Sequence, residues 1–325
     1  MSLRLRSLRT RSLLLFALIP LLILSACGAN GNGGGSNTTS NPNANIKLTV
    51  GGKLDNEAQI LTKMYTLVLR DAGFQVVEKP AFGNNTLVSA GIKSGALDLY
   101  PEFTASGLDA LKLQSSLDDQ KDYQTVKEKF EQQFKITWLD YSPLNDTYAI
   151  CADKAKAQQL GLTTISDLPA KASQLTMALP SDSLYVLSYL KSTYGITQNS
   201  FKKLDKVDYA IGFQEVKQKQ ADLAFCYSTD LGIVKNNFVV LTDSKHAFPA
   251  YHPAPIVRDS TLAKSPDIKT SLNKLAPYIT TDVSLSLQKQ VSDKIANNMS
   301  EQQAIKLAVT DFLKSKGFCN NHGCS

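Results

Sequence analysis

Aromatic residues recur in this sequence in one kind of place. Tyr100 and Phe103 fall in "DLYPEFTASG" (98 to 107), straight after an apolar run. Tyr148 opens "TYAICA", Tyr227 closes "ADLAFCY", and Tyr251 sits in "FPAYHPAPIVR". Each stands at the boundary of a strand-like stretch, flanked by polar or small residues. Taken singly, such a ring is a packing residue between elements. Several together, at strand ends in two separate blocks of sequence, point to a lined site. An aromatic face carries negative quadrupole density and attracts a cation within about 6 Å, with ~0.5 to 2 kcal/mol per ring once water is excluded. A quaternary ammonium group suits such a site, because it has no N–H to satisfy and is cheaply stripped of water.

Other chemistries lack their residues. The sequence contains no G-x-S-x-G elbow, Walker A loop, H-E-x-x-H, EF-hand loop or C-x-x-C. His246, His252 and His322 have no metal-ligand spacing to one another, and "CNNHGC" (319 to 324) packs three ligand types into six residues, a poor cage for zinc. Asp98 and Glu102 are four apart, but a strand end and a turn give them no shared focus for paired acid catalysis. No catalytic residue, metal or cofactor is therefore expected.

The elements that must hold the aromatic residues alternate. "IKLTVG" reads as a strand; Ile60, Leu61, Met64, Val68, Leu69 and Ala72 then recur at helical spacing, with Asp55 or Asn56 as N-cap and Gly73 as the stop. "FQVVEK" is a strand, "TLVSAGIKSG" a helix, "ALDLY" (96 to 100) a third strand, and about 122 to 135 a helix with Tyr123, Val126, Phe130 and Phe134 on one face, followed by a strand "ITWLDYSP". A second block repeats the alternation through the strands "TYAICA", "TMALP", "ADLAFCY" and "FVVLTD", with helices at "DSLYVLSYLKSTYG" and "FQEVKQKQ". Three helical patterns follow "APIVR", the last opened by a capping box, "SEQQ". This is an α/β chain of two lobes with a ligand cleft between them: 46–145 and 251–325 form lobe I, and 146–250 lobe II. In open α/β sheets ligands bind beyond the carboxyl ends of strands.

The N-terminus sets the compartment. Arg4, Arg6, Arg9 and Arg11 precede the apolar run "LLLFALIPLLIL", the layout of a signal peptide over residues 1–26. The run is short of the ~20 residues of a membrane span and ends in "LSAC", which resembles a lipobox, so Cys27 is the expected lipidation site. Residues 27–45 continue as a Gly/Asn/Ser tract, a flexible tether reaching roughly 20 to 25 Å on average. The formal net charge of +6 comes mostly from the leader: without its four arginines, 31 of the 35 basic residues face 29 acidic ones. That near-balance argues against a nucleic-acid partner. In an exported chain disulfides are permitted; Cys319 and Cys324 bracket a loop that a disulfide could close, whereas Cys151 and Cys226, in apolar strand-like runs, read as buried thiols.

The segments "GGKLDNEAQILTKMY", "SGALDLYPEFTASG", "NDTYAI", "ADLAFCYSTDLGIV" and "KHAFPAYHPAPIVR" resemble, in order and across nearly all of 46 to 316, the substrate-binding proteins of osmoprotectant ABC importers, the OpuAC-type, ProX-like family. The resemblance implies a type II periplasmic-binding-protein fold. It further implies a monomer anchored to the bacterial cell membrane by lipid, and capture of glycine betaine, choline or carnitine for delivery to an ABC permease. Matched by motif, Phe103, Tyr148, Tyr227 and Tyr251 form the aromatic box, with Phe103 where a tyrosine is usual. Ser106 stands where a threonine donates to the ligand carboxylate, and Lys53 where a lysine reaches it. Two family contacts are absent: no arginine matches in "LPSDSLYVLSYL", where Ser183 and Tyr185 stand nearby, and "NEA" replaces "TEQ" unless Gln59 substitutes. Carboxylate recognition is thus thinner than cation recognition. Two other readings remain: a binder of amino acids or another polar solute through Lys53, Ser106 and Asp230, and a surface enzyme using Asp98, Glu102 or Asp146.

Overall fold

The computed structural model describes residues 41–320 and Cys324. The leader, Cys27, the first part of the tether and His322 lie outside them. Ten strands are described: β1 (Lys47–Gly51), β2 (Gln75–Lys79), β3 (Leu99–Phe103), β4 (Ile136–Trp138), β5 (Tyr148–Asp153), β6 (Thr176–Leu179), β7 (Lys203–Lys206), β8 (Leu223–Tyr227), β9 (Phe238–Val240) and β10 (Pro253–Arg258). The α-helices are α1 (Asn56–Asp71), α2 (Asn85–Ser94), α3 (Thr104–Ala110), α4 (Asp119–Phe134), α5 (Lys154–Leu160), α6 (Val186–Tyr194), α7 (Tyr209–Lys217), α8 (Leu231–Asn236), α9 (Asp259–Leu262), α10 (Asp267–Leu275), α11 (Thr281–Ala296) and α12 (Glu301–Ser315). No helix among the described residues is long and apolar enough to cross a membrane.

The strands form two five-stranded sheets of matching plan, β2-β1-β3-β10-β4 and β7-β6-β8-β5-β9. In each, three strands run parallel and a fourth, β10 or β5, lies antiparallel between the third and an edge strand. The chain crosses to the second sheet ahead of β5 and returns ahead of β10. Helix α1 shows why the first block folds as it does. Asp55 caps it by accepting from the Ala58 N–H, Gly73 follows its C-terminus at φ +91°, and apolar residues on nearly every face are buried between the sheet and α10, α11 and α12. Gly51 and Gly52 end β1 where a Cβ would collide with Leu97 and with the Pro80 carbonyl, so the backbone that carries Lys53 passes where no side chain fits.

The structure departs from the sequence reading at several places, among them the helices α3, α5 and α8, which that reading does not include. Strand β3 does not stop at Tyr100; it runs to Phe103 because β10 pairs along it, with Glu102 opposite Ala254 and Phe103 opposite Pro253. Strand β7, "KLDK", has no apolar alternation to betray it, being an edge held only by β6. The Ser300 hydroxyl donates to the Gln303 side chain at 3.0 Å and no side-chain bond caps the backbone, so the capping box at α12 does not form. Cys151 and Cys226 are not free thiols but a disulfide. Neighbouring antiparallel strands β5 and β8 pair Ala149 with Cys226 and Cys151 with Ala224, which sets the two Cα atoms 6.0 Å apart, within bridging range. Cys319 and Cys324 are also bridged.

The Cys151–Cys226 bridge closes a loop of 75 residues. The double variant Cys151→Ala/Cys226→Ala is expected to lose about 2–4 kcal/mol in urea unfolding, while the corresponding change at Cys319 and Cys324, which close five residues, costs clearly less.

Candidate functional site

Tyr148 and Tyr227 are directly opposite each other in the β5–β8 ladder, at the ends of their strands that face the other lobe. Tyr251 joins them from the return crossing. Its N–H donates to the Asn145 side chain at 2.7 Å and its carbonyl accepts from the Asp146 N–H at 3.0 Å, which clips the two crossings together. The result is a cluster centred on Tyr148. Its ring centroid lies 5.9 Å from Tyr227, 5.7 Å from Tyr251, 5.8 Å from Tyr185 and 6.3 Å from Tyr189, with Phe225 and Phe248 behind. The Tyr185 hydroxyl donates to that of Tyr148 at 3.0 Å, and the Tyr148 and Tyr251 hydroxyls are 3.1 Å apart. Burial, and then those hydroxyl contacts, push the Tyr148 phenol far above its ordinary range; burial pushes Tyr251 up to about 12. Tyr148 and Tyr251 are therefore neutral at physiological pH, with their quadrupole faces intact.

Against this cluster lies a cavity of about 250 Å³, lined by Tyr148, Tyr185, Tyr189 and Tyr251 on one side and by Ala105, Leu108 and Asp109 of α3 on the other. Its size is below the usual range for drug-sized ligands and suits a small solute. Tyr185 and Tyr189 were not matched to the box by motif. Their spacing of four residues, which places them on one helical face, was the available signal. Asp109 had none.

The remaining expected residues form a second group. Phe103 is buried and lines neither this cavity nor the next; the Lys53 ammonium stands 5.4 Å from its ring centroid. Lys53 is itself buried and paired with Glu102 at 2.5 Å. Glu102 also accepts from the Tyr100 hydroxyl and the Phe103 N–H, both at 2.8 Å. Ser106 lines a neighbouring cavity of about 430 Å³ with Glu102, Lys93 and Asp109. Gln59 is committed elsewhere, donating to the Leu54 carbonyl and accepting from Gln302. Asp98 anchors the sheet by accepting from the Thr49 N–H, Arg258 and Thr261, and Asp230 accepts from the Tyr209 hydroxyl and the Gly232 N–H. The structure thus gathers Tyr148, Tyr227 and Tyr251 in one cluster and sets Phe103, Lys53 and Ser106 on the facing lobe.

Comparison with known proteins places this geometry in context. A family model described as "Substrate binding domain of ABC-type glycine betaine transport system" matches residues 46–315. The glycine betaine-binding protein YehZ of Escherichia coli K12 is 27% identical over 282 residues, spanning 83% of this chain and 90% of that protein. The carnitine transport binding protein OpuCC of Listeria monocytogenes is 27% identical over 258 residues, 76% of this chain and 82% of that one. The solved structure of apo YehZ from Escherichia coli superposes with a TM-score of 0.70 at 27% identity, covering 84% of this chain and 98% of its own.

A cluster of acids underlies the crossings. Glu57 on α1 accepts from Ser284 of α11, and Asp146 on the outgoing crossing accepts from Thr229, whose carbonyl accepts from Gln288 at 2.9 Å. Burial raises both carboxyls. Asp146 adds to the rise at Glu57, and Asp55 and Asp230 add to that at Asp146, against Lys53 and the Thr229 hydroxyl, which lower it; Asp146 reaches about 7. A carboxyl whose folded pKa lies above its unfolded value holds protons more tightly when folded. The stability contributed by Asp146 therefore falls as pH rises from about 4 to about 7 and is constant above that. Asp146→Asn should flatten this decline, read as a weaker dependence of melting temperature on pH across that window than in the wild type.

Proposed function

This chain belongs to the family of substrate-binding domains of ABC-type glycine betaine transport systems, and on that premise we propose that it captures a quaternary ammonium solute between its lobes and hands it to an ABC permease. The observation that carries the proposal is the Tyr148 cluster, in which four tyrosine rings line a cavity of about 250 Å³. Each ring face attracts a cation, and several add up to appreciable affinity without one hydrogen bond to the ammonium. Glycine betaine and carnitine, which the names of relatives specify, share the trimethylammonium group, and choline carries it as well. The polar-solute reading has less support, because Lys53 and Asp230 are already committed within the fold. The enzyme reading loses Asp98 and Glu102 in the same way.

The chain acts as a monomer outside the cytoplasm. Cys27 is the lipid attachment point, and the Gly/Asn/Ser tract that follows lets the lobes reach a permease in the same membrane. Release to the permease needs no covalent chemistry, only opening of the cleft.

The decisive measurement is calorimetric titration with tetramethylammonium, choline, glycine betaine and carnitine. Tyr185 is 49% exposed, so Tyr185→Ala leaves the fold intact and is expected to weaken binding of the ammonium head by about 1 kcal/mol or more, roughly fivefold or more in Kd. Tyr251→Phe, which keeps the ring, should lose much less than Tyr251→Ala. Absence of heat with every one of these compounds would sink the proposal.

A further inference from the structure

The tyrosine cavity carries one charged side chain among its described lining residues, Asp109, and that charge is negative. Asp109 sits near the C-terminal end of the short helix α3, is exposed, and also lines the neighbouring cavity of about 430 Å³, so it stands where the two spaces meet. Its carbonyl accepts from the Lys112 N–H, but among the described residues its carboxylate has no hydrogen-bonded or ion-paired partner. Among the described residues no basic side chain lines the tyrosine cavity. Lys53 is locked to Glu102 in a buried pair at 2.5 Å. Lys93, which borders only the neighbouring cavity, lies 3.9 Å from the centroid of the Phe134 ring. The two arginines among the described residues, Arg70 and Arg258, are bonded to the Val76 carbonyl and to Asp98.

From this arrangement we infer that Asp109 sets the charge preference of the site, selecting quaternary ammonium compounds that carry a net positive charge, of the choline type, over zwitterions that carry their own carboxylate. The inference rests on the aromatic-cage reading and deepens it. A trimethylammonium head gains the same ring contacts whatever its tail, so the rings do not discriminate. The tail does: beyond the head it meets Asp109, and no uncommitted cation lines the tyrosine cavity to receive a carboxylate. A neutral hydroxyl tail leaves the attraction between head and Asp109 uncancelled, whereas a carboxylate tail brings two like charges together in a partly desolvated space. Partial desolvation and then the negative charge of Glu102 raise the Asp109 carboxyl above its ordinary range, and a bound cation opposes that rise.

The test is titration of the wild type, Asp109→Asn and Asp109→Glu with tetramethylammonium, choline and glycine betaine, with thermal melting to confirm that the exposed substitutions leave the fold unchanged. The wild type is expected to bind choline at least tenfold more tightly than glycine betaine. Asp109→Asn should abolish most of that preference, weakening choline about tenfold while leaving glycine betaine equal or tighter, and Asp109→Glu should retain it. If the wild type favours glycine betaine, or Asp109→Asn weakens both ligands equally, while tetramethylammonium still binds, the charge assignment to Asp109 is overturned and the cage stands. If none of the three ligands binds the wild type, the cage reading fails and this inference fails with it.

Discussion

The site depends on the antiparallel insertion of one strand into each sheet. β5 enters the second sheet between β8 and β9, and β10 returns to the first between β3 and β4. Because β5 runs against β8, the start of one and the end of the other meet at the same sheet edge, and Tyr148 lies across from Tyr227. Because β10 runs against β3, Tyr251, two residues ahead of it, lies beside the end of β3 and the start of α3. Had either strand been parallel, these ends would lie at opposite edges of their sheets. The Asn145–Tyr251 and Asp146–Tyr251 hydrogen bonds then tie the crossings into one unit.

The two lobes contribute differently to that meeting point. The second supplies rings: Tyr148, Tyr185, Tyr189 and Tyr227, backed by Phe225 and Phe248 and braced by a disulfide between the two strands that carry the first and the last of them. The first supplies charge and hydroxyls, and it has already used most of its charge internally. Lys53 and Glu102 pair with each other where both are buried, and the Tyr100 hydroxyl and the Phe103 N–H add two more donors to Glu102. The Phe103 face, equipped to attract a cation, has one in the Lys53 ammonium. The family resemblance assigned both residues to the ligand, and in this structure each also serves the other.

The crossings carry a further cost. Glu57 and Asp146 sit close together in a poorly solvated seam where α1, α11 and the crossings meet, each hydrogen-bonded by a hydroxyl and neither ion-paired. Burial disfavours the carboxylate there, and the hydroxyls remain partners to the protonated acid. A seam of this kind joins elements from both lobes without committing them to a fixed charge pattern.

Much of this was legible in the residues. Strand and helix alternation follows from local periodicity, and the Asp55 cap and Gly73 stop of α1 are local rules, because each depends on neighbours within a few positions. The aromatic residues at strand ends were visible for the same reason. What local pattern could not carry was any relation between strands distant in the chain. The bridge between Cys151 and Cys226 joins positions 75 apart; the extension of β3 to Phe103 waits on β10, some 150 residues later; and β7 exists only because β6 offers it an edge. The charge of the site belongs to the same class. Sequence alone shows Lys53, Glu102 and Asp109 as three charged residues, and only packing consumes the first two in each other and leaves the third facing the rings, since Coulomb pairing depends on distance in space and not on separation along the chain.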